Sequence, residues 1–132
     1  MIDLKEFIDQ GWVDQQKYDS ASGRLGPKDL ENPDNERERY TKIIEYMGHL
    51  VEEVIEARRL VPRRSWKTEE ISYMKSKFLR NEFISEMFDI LLFHRAVLAY
   101  AGVTGEEFER VAQVKYDYNL KRPDHNLNTG DE

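Results

Sequence analysis

Apolar residues along this chain recur at the spacing of helices, and two stretches carry the strongest pattern. From about Asp34 to Leu60, with Glu52 taken as zero on a helical wheel, Tyr40, Ile43, Ile44, Met47, Leu50, Val51, Val54 and Ile55 fill an arc from roughly 160° to 300°. Glu45, His49, Glu52, Glu53 and Glu56 fill the arc from 0° to about 100°. Pro62 ends this predicted helix, since proline has no N–H to donate. The second stretch, Phe83 to Tyr100, places apolar residues in nearly every direction, which is the pattern of a helix buried all round. It is expected to begin near Glu82 and to stop at Gly102. Thr104-Gly105-Glu106-Glu107 has the spacing of a capping box and opens a last helix to about Leu120, closed by Pro123.

The remaining segments are weaker. Residues 2 to 18 (Ile2, Phe7, Ile8, Trp12, Val13) predict one short helix, or two parted at Gly11. Ser20 to Asn35 turns to Ser, Gly, Pro, Asp and Asn and reads as a loop, with Pro27 and Pro33 excluding a regular helix. Thr68, followed by Glu69 and Glu70, is an N-cap for a separate helix reaching about Arg80. No stretch alternates as a strand does. The expectation is all-α: a four- to five-helix bundle with an acidic metal site between two helices.

Composition sharpens this picture. The chain has 132 residues, enough for one domain with a sizeable core, and a net charge of −6, which argues against general nucleic-acid binding. Without cysteine there are no disulfides, thiolate metal sites or cysteine nucleophiles. The N-terminus lacks the basic-then-apolar layout of a signal peptide. The best apolar run is interrupted by Glu86, Asp89 and Arg95, so no membrane span is expected and the location reads as cytoplasmic. Residues 1–35 form an N-terminal helix and loop of the same domain, 36–126 its body, and 127–132 a polar tail.

The chemistry lies in two acidic signatures. Glu53 and Glu56 stand three residues apart on the first strong helix, and Glu86 and Asp89 do so on the second, so each pair shares one side. Two acids inside an apolar helix need a partner, because an unpaired buried carboxylate costs several kcal/mol or protonates. A divalent cation held jointly by Glu53, Glu56, Glu86 and Asp89 satisfies all four. Oxygen-only ligation suits Mg²⁺ or Mn²⁺ rather than zinc or copper. Di-iron bundles use Glu-x-x-His pairs, which neither signature supplies. Glu52, beside these residues, is a candidate general base for a metal-adjacent water, or an outward acid. Glu82, one turn before Glu86, is a further ligand or a helix-start charge.

Cations point to an anionic ligand. Arg58, Arg59, Arg63, Arg64, Lys67, Lys75, Lys77 and Arg80 crowd one region, and Lys115, Asn119 and Arg122 align near the end of the last helix, beside Tyr116 and Tyr118. Together with a hard-cation site they suit a phosphate-bearing substrate, for which positioning and charge neutralisation supply most of the catalysis. Trp66, in a basic loop with Lys67, is placed either to stack on a base or in the core or an interface. His49 shares the acidic face, within reach of Glu45 or Glu53; His94 reads as a core residue, and His125 follows the terminal turn.

Glu52-Glu53-x-x-Glu56, a spacer, then Glu86-x-x-Asp89 resembles the signature of the all-α nucleoside triphosphate pyrophosphohydrolases, the MazG-like and dimeric dUTPase superfamily. Trp66-Lys67 is similar to the Trp-containing segment of the dimeric dUTPase and phage branches. Gly102-Val103-Thr104 with Glu106-Glu107-Phe108 resembles the turn before the last helix. Lys115-x-x-x-Asn119-x-x-Arg122-Pro123-Asp124-His125 is similar to the C-terminal Lys-Asn-Arg-Asp segment. The likeness covers about Tyr40 to Asn126. It implies homodimers or homotetramers, Mg²⁺ or Mn²⁺, and water attack on the α-phosphate of a nucleoside triphosphate, releasing diphosphate. On this likeness Glu53, Glu56, Glu86 and Asp89 are the metal ligands and Glu52 a ligand or water-activating acid. Lys115, Asn119 and Arg122 are triphosphate contacts, with Trp66, Lys67 and His49 around the substrate. The 29 residues between Glu56 and Glu86 make a slightly long spacer, and residues 1 to 35 match nothing in the family. The rivals are a base-specific dUTPase or dCTPase, a purine-selective phage enzyme, a di-iron bundle, and a non-catalytic helical module whose acidic stripe binds a basic partner.

Overall fold

The computed structural model describes residues 3–61 and 77–122, and these are all-helical, with four α-helices and no strand. The first helix, α1 (Leu4–Ala21), starts at Asp3, whose Oδ1 accepts from the Lys5 N–H at 2.8 Å. It runs straight through Gly11, so the single-helix reading holds and the division at Gly11 does not occur. Gly11 is buried, and a Cβ on it would stand 2.8 Å from Arg95 Cδ and Cγ. The residue therefore makes room for Arg95. That side chain lays its guanidinium 4.6 Å from the Phe7 ring centroid and donates to Phe7 O at 3.2 Å and to Asp14 Oδ2 at 3.0 Å. Helix propensity lost at a glycine, about 0.5–1 kcal/mol, is offset by this contact.

Residues 22 to 35 form no α-helix, as the prolines require, yet the segment is tightly fixed. Gln16 Oε1 accepts from the Lys28 N–H at 2.7 Å, and Asp29 Oδ2 accepts from the Gly26 N–H at 2.9 Å. The Gly26 N–H is the main cause holding the Asp29 carboxyl below its ordinary range. Two 3-10 turns, Asp29–Glu31 and Pro33–Asn35, lead into α2, and Leu30 is buried beneath them.

The two acidic helices are α2 (Glu36–Arg59) and α3 (Lys77–Tyr100). They run antiparallel: Tyr46 meets Tyr100 and Phe93, while further along Glu53 meets Glu86 and Asp89. The expected division between a helix ending near Arg80 and another starting near Glu82 does not occur, because α3 is continuous across both. Thr68, its proposed cap, lies outside the described residues. Helix α1 lies parallel to α3, with Phe7 against Phe88 (ring centroids 6.2 Å apart) and Asp19 against Tyr100 (2.7 Å).

The chain then bends by 109° into α4 (Gly105–Lys121), capped by Thr104, whose Oγ1 accepts from the Glu107 N–H at 3.1 Å. The start of α4 docks on α1, where Asp9 Oδ1 accepts from the Gly105 N–H at 2.7 Å. A Cβ on Gly105 would clash with the Lys5 carbonyl, which is backbone and cannot swing away. Gly105→Ala is expected to lower the unfolding free energy by about 1–3 kcal/mol, the usual range for overpacking, measured by urea denaturation.

Among the described residues the buried apolar side chains are Ile8, Leu30, Ala57, Ala96, Ala99 and Tyr100. The all-round burial expected for α3 is not found: Ile84, Met87, Phe88 and Leu91 are exposed. Nor does α2 bury its apolar arc. Ile44 is 71% exposed and Val51 58%, because the side turned toward α3 is the one bearing Tyr46, His49 and Glu53. On a helix, Ile44 and Val51 point about 160° away from Tyr46 and Glu53.

Candidate functional site

The antiparallel seam of α2 and α3 brings acids from both helices together. One carboxylate oxygen each from Glu53, Glu86 and Asp89 lies within 4.8 Å of the others, and all three residues are half-buried. Ligand oxygens on opposite sides of a divalent cation stand about 4–5 Å apart, so the three oxygens fall within one coordination sphere. Glu56 is not in this trio, but it lies within hydrogen-bonding range of Glu86 and lines a small cavity of about 330 Å³ with Glu82, Ser85 and Glu86.

Electrostatics at this seam is repulsive. Burial, then the Glu56, Glu86, Asp89 and Glu52 charges, raise the Glu53 carboxyl above its ordinary range. Burial, then Glu56, Asp89 and Glu82, raise that of Glu86. Glu86 Oε2 is buried and meets no hydrogen-bond donor among the described residues. An orphaned carboxylate oxygen among like charges is the arrangement that a hard divalent cation relieves. The donor set is oxygen only, which fits Mg²⁺ or Mn²⁺.

Asp89 also lines a cleft of about 540 Å³ that leads away from the acids between α1, α2 and α3. Its walls carry Tyr46, His49 and Phe93, with mutual ring contacts at 5.3 to 6.2 Å, facing Gln15 and Tyr18 of α1. His49 sits 3.3 Å from Glu52 and 3.8 Å from Glu45, so its partners are Glu45 and Glu52 rather than Glu53. Glu52 points outward beside His49, its side chain 70% exposed.

The C-terminal set is placed elsewhere. Lys115 is exposed on α4, 5.4 Å from the Tyr118 ring centroid, and the Arg122 guanidinium is 5.7 Å from the same ring. Asn119 buries its amide oxygen, which finds no donor among the described residues. None of these three lines the cleft at Asp89. The 109° bend carries α4 across α1 instead of along the acidic seam. Trp66, Lys67 and His125 lie outside the described residues.

Phe93, Tyr46, Gln15 and Tyr18 were not singled out from the sequence. Phe93 stands one turn after Asp89, and Tyr46 one turn before His49, so helical spacing places both near the acids. Nothing local marks Gln15 and Tyr18, which reach the cleft only because α1 runs parallel to α3. No family model, curated protein or solved structure matches this chain.

Proposed function

We propose that this chain is a metal-dependent nucleoside triphosphate pyrophosphohydrolase, converting a (d)NTP and water to the monophosphate and diphosphate. The observation that carries the reading is the trio Glu53, Glu86 and Asp89, three oxygens within 4.8 Å in the seam of two helices. Glu53, Glu86 and Asp89, with Glu56 alongside, would hold Mg²⁺ or Mn²⁺. When bound, the cation neutralises phosphate charge. Glu52, held by His49, is the outward carboxylate able to orient an attacking water. The aromatic cleft that starts at Asp89 gives the nucleoside a dry wall, and the resemblance of the acidic signatures and of the Lys115 to His125 segment adds a triphosphate as the ligand.

The reading includes a homo-oligomer. The stripe Ile44, Met47, Val51 and Val54 on α2 and the stripe Ile84, Met87 and Leu91 on α3 are too extensive for a monomer's usual scattered apolar surface. A second copy covering them would also supply cations beside its acids. Val51→Asp is expected to shift the protein to monomers in sedimentation and to cost most of the activity.

The test of the function is pyrophosphate release over all common dNTPs and NTPs with Mg²⁺ and with Mn²⁺. Metal-dependent release from at least one of them is expected, and its relative rates separate a broad enzyme from a dUTPase, dCTPase or purine-selective one. No release from any nucleotide would overturn the reading. A second reading, a non-catalytic helical module, draws on the same exposed stripes. It predicts no stabilisation by either cation. Among the described residues no single helix is long and apolar enough to cross a membrane.

A further inference from the structure

Arg24 lines the same cleft as Asp89. Arg24 also lines a second cavity of about 330 Å³, between the 22–35 segment and the first turns of α2. Leu25, Leu30 and Thr41 line that cavity, and its charged lining residues are Arg24, Arg37 and Lys42 against Glu38 alone. Three cations to one anion is an inverted balance in a chain of net charge −6.

Two of the three cations rest against aromatic rings. Arg24 sits with its guanidinium 5.9 Å from the Tyr18 ring centroid, and Lys42 places its ammonium 5.7 Å from the Tyr100 ring and 6.0 Å from that of Tyr46. The segment opposite is fixed, since Asp29 is engaged by the Gly26 N–H and by Gln16 at 3.3 Å, and Leu30 is buried. Asp29 is thus occupied within its own turn and does not line the cavity.

We propose that this cavity is a phosphate-binding subsite, separate from the carboxylate seam and joined to it by the aromatic cleft through Arg24. Two sources share the chemistry. One is a phosphate carried by the far side of the nucleoside whose other end lies at the carboxylates, as in a nucleotide phosphorylated on its 3′ oxygen. The other is a free pyrophosphate or phosphate ion acting on its own. The subsite stands on the cavity and its cations alone, so it does not depend on hydrolysis at the acidic seam.

The experiment is isothermal titration of the full chain in EDTA with inorganic pyrophosphate, 2′-deoxyadenosine 5′-monophosphate and 2′-deoxyadenosine 3′,5′-bisphosphate. Wild type, Arg24→Ala, Arg37→Ala and the double variant are compared. Melting temperatures establish that the variants, changed at exposed arginines, are folded. If the subsite takes the far phosphate of a nucleotide, the bisphosphate binds at least about tenfold tighter than the monophosphate. The double variant then loses that advantage. If it takes a free ion, pyrophosphate binds wild type, the double variant loses it by about tenfold or more, and added monophosphate does not compete. Either affinity must fall with rising salt, as expected for a partly exposed charge cluster. The proposal is overturned if none of the three ligands binds, or if the double variant changes every affinity by less than twofold. Loss of hydrolysis in Glu53→Gln with pyrophosphate binding intact would separate this subsite from the acidic one.

Discussion

Glu53→Gln is expected to act in two opposite directions. It raises the melting temperature of the metal-free protein at pH 7.5, and it removes both the stabilisation by Mn²⁺ and the release of pyrophosphate. The first effect follows from the seam itself. Burial and the surrounding carboxylates hold Glu53 and Glu86 above the ordinary value of 4.5. The folded state therefore binds these protons more tightly than the unfolded chain does. The resulting stability is fully present below the unfolded value and is lost as pH rises through the raised folded one. At neutral pH the empty seam is a liability, which a neutral glutamine relieves. Acidification from pH 7.5 toward 5 should accordingly stabilise the metal-free wild type more than the variant, and the gap between them should close.

The second effect follows from ligation. A cation at a hundred times its Kd adds about 2.7 kcal/mol to the folded state, roughly 10 °C in melting temperature for a domain of this size. The variant keeps a carbonyl oxygen but loses a charge, so most of that shift should vanish. Hydrolysis should fall at least about a hundredfold, as when one preorganised electrostatic group is removed from a transition-state site. Helicity by circular dichroism should be unchanged. A wild type indifferent to millimolar Mn²⁺, or a variant with wild-type turnover, sinks the assignment of this seam.

What was legible in the sequence is what short-range periodicity encodes. The limits of α2 and α4 are close to those read from spacing, from Pro62 and from the Thr104 cap, because caps and prolines act on backbone within one turn. The meeting of Glu53 with Glu86 and Asp89 was legible as well, since each three-residue spacing fixes a shared side. At Gly11 the sequence left one helix or two open, because the reason for this glycine is non-local: it accommodates Arg95, far along the chain. The burial of α3 misled for a different reason. An apolar pattern reports that a face is to be covered, not by what, and in a single chain Ile84, Met87 and Leu91 stay uncovered. The C-terminal cations illustrate the same limit, because the bend between α3 and α4 depends on how Gly105 docks against Lys5 and Asp9, which no periodicity records.

The cleft wall depends on a buried polar contact whose loss should be the largest single cost to stability. Asp19 is 0% exposed, and its Oδ2 accepts from the hydroxyl of Tyr100, itself 0% exposed, at 2.7 Å. Its other oxygen accepts from Gln15 Nε2 at 3.3 Å, and Gln15 also reaches the Tyr46 hydroxyl at 3.5 Å. Burial and the bond to Asp19 push the Tyr100 phenol well above its ordinary range, so it remains a donor at any working pH. Asp19→Ala takes the acceptor from the buried Tyr100 hydroxyl, leaves Gln15 only its longer contact to Tyr46, and opens a void, costing about 2–4 kcal/mol. Tyr100→Phe removes one donor and keeps the ring, costing about 1–2 kcal/mol. In the double variant the costs should add to less than their sum, since the orphaned hydroxyl is gone. Equal additivity in urea denaturation would show that the two side chains do not depend on each other. Because Gln15 is oriented through Asp19, loosening this contact frees α1 from its position over Tyr46 and Phe93. Amide exchange around Gln15 and Tyr18 should therefore quicken in Tyr100→Phe, while the carboxylates of the α2–α3 seam, held by a different part of both helices, keep their Mn²⁺ response.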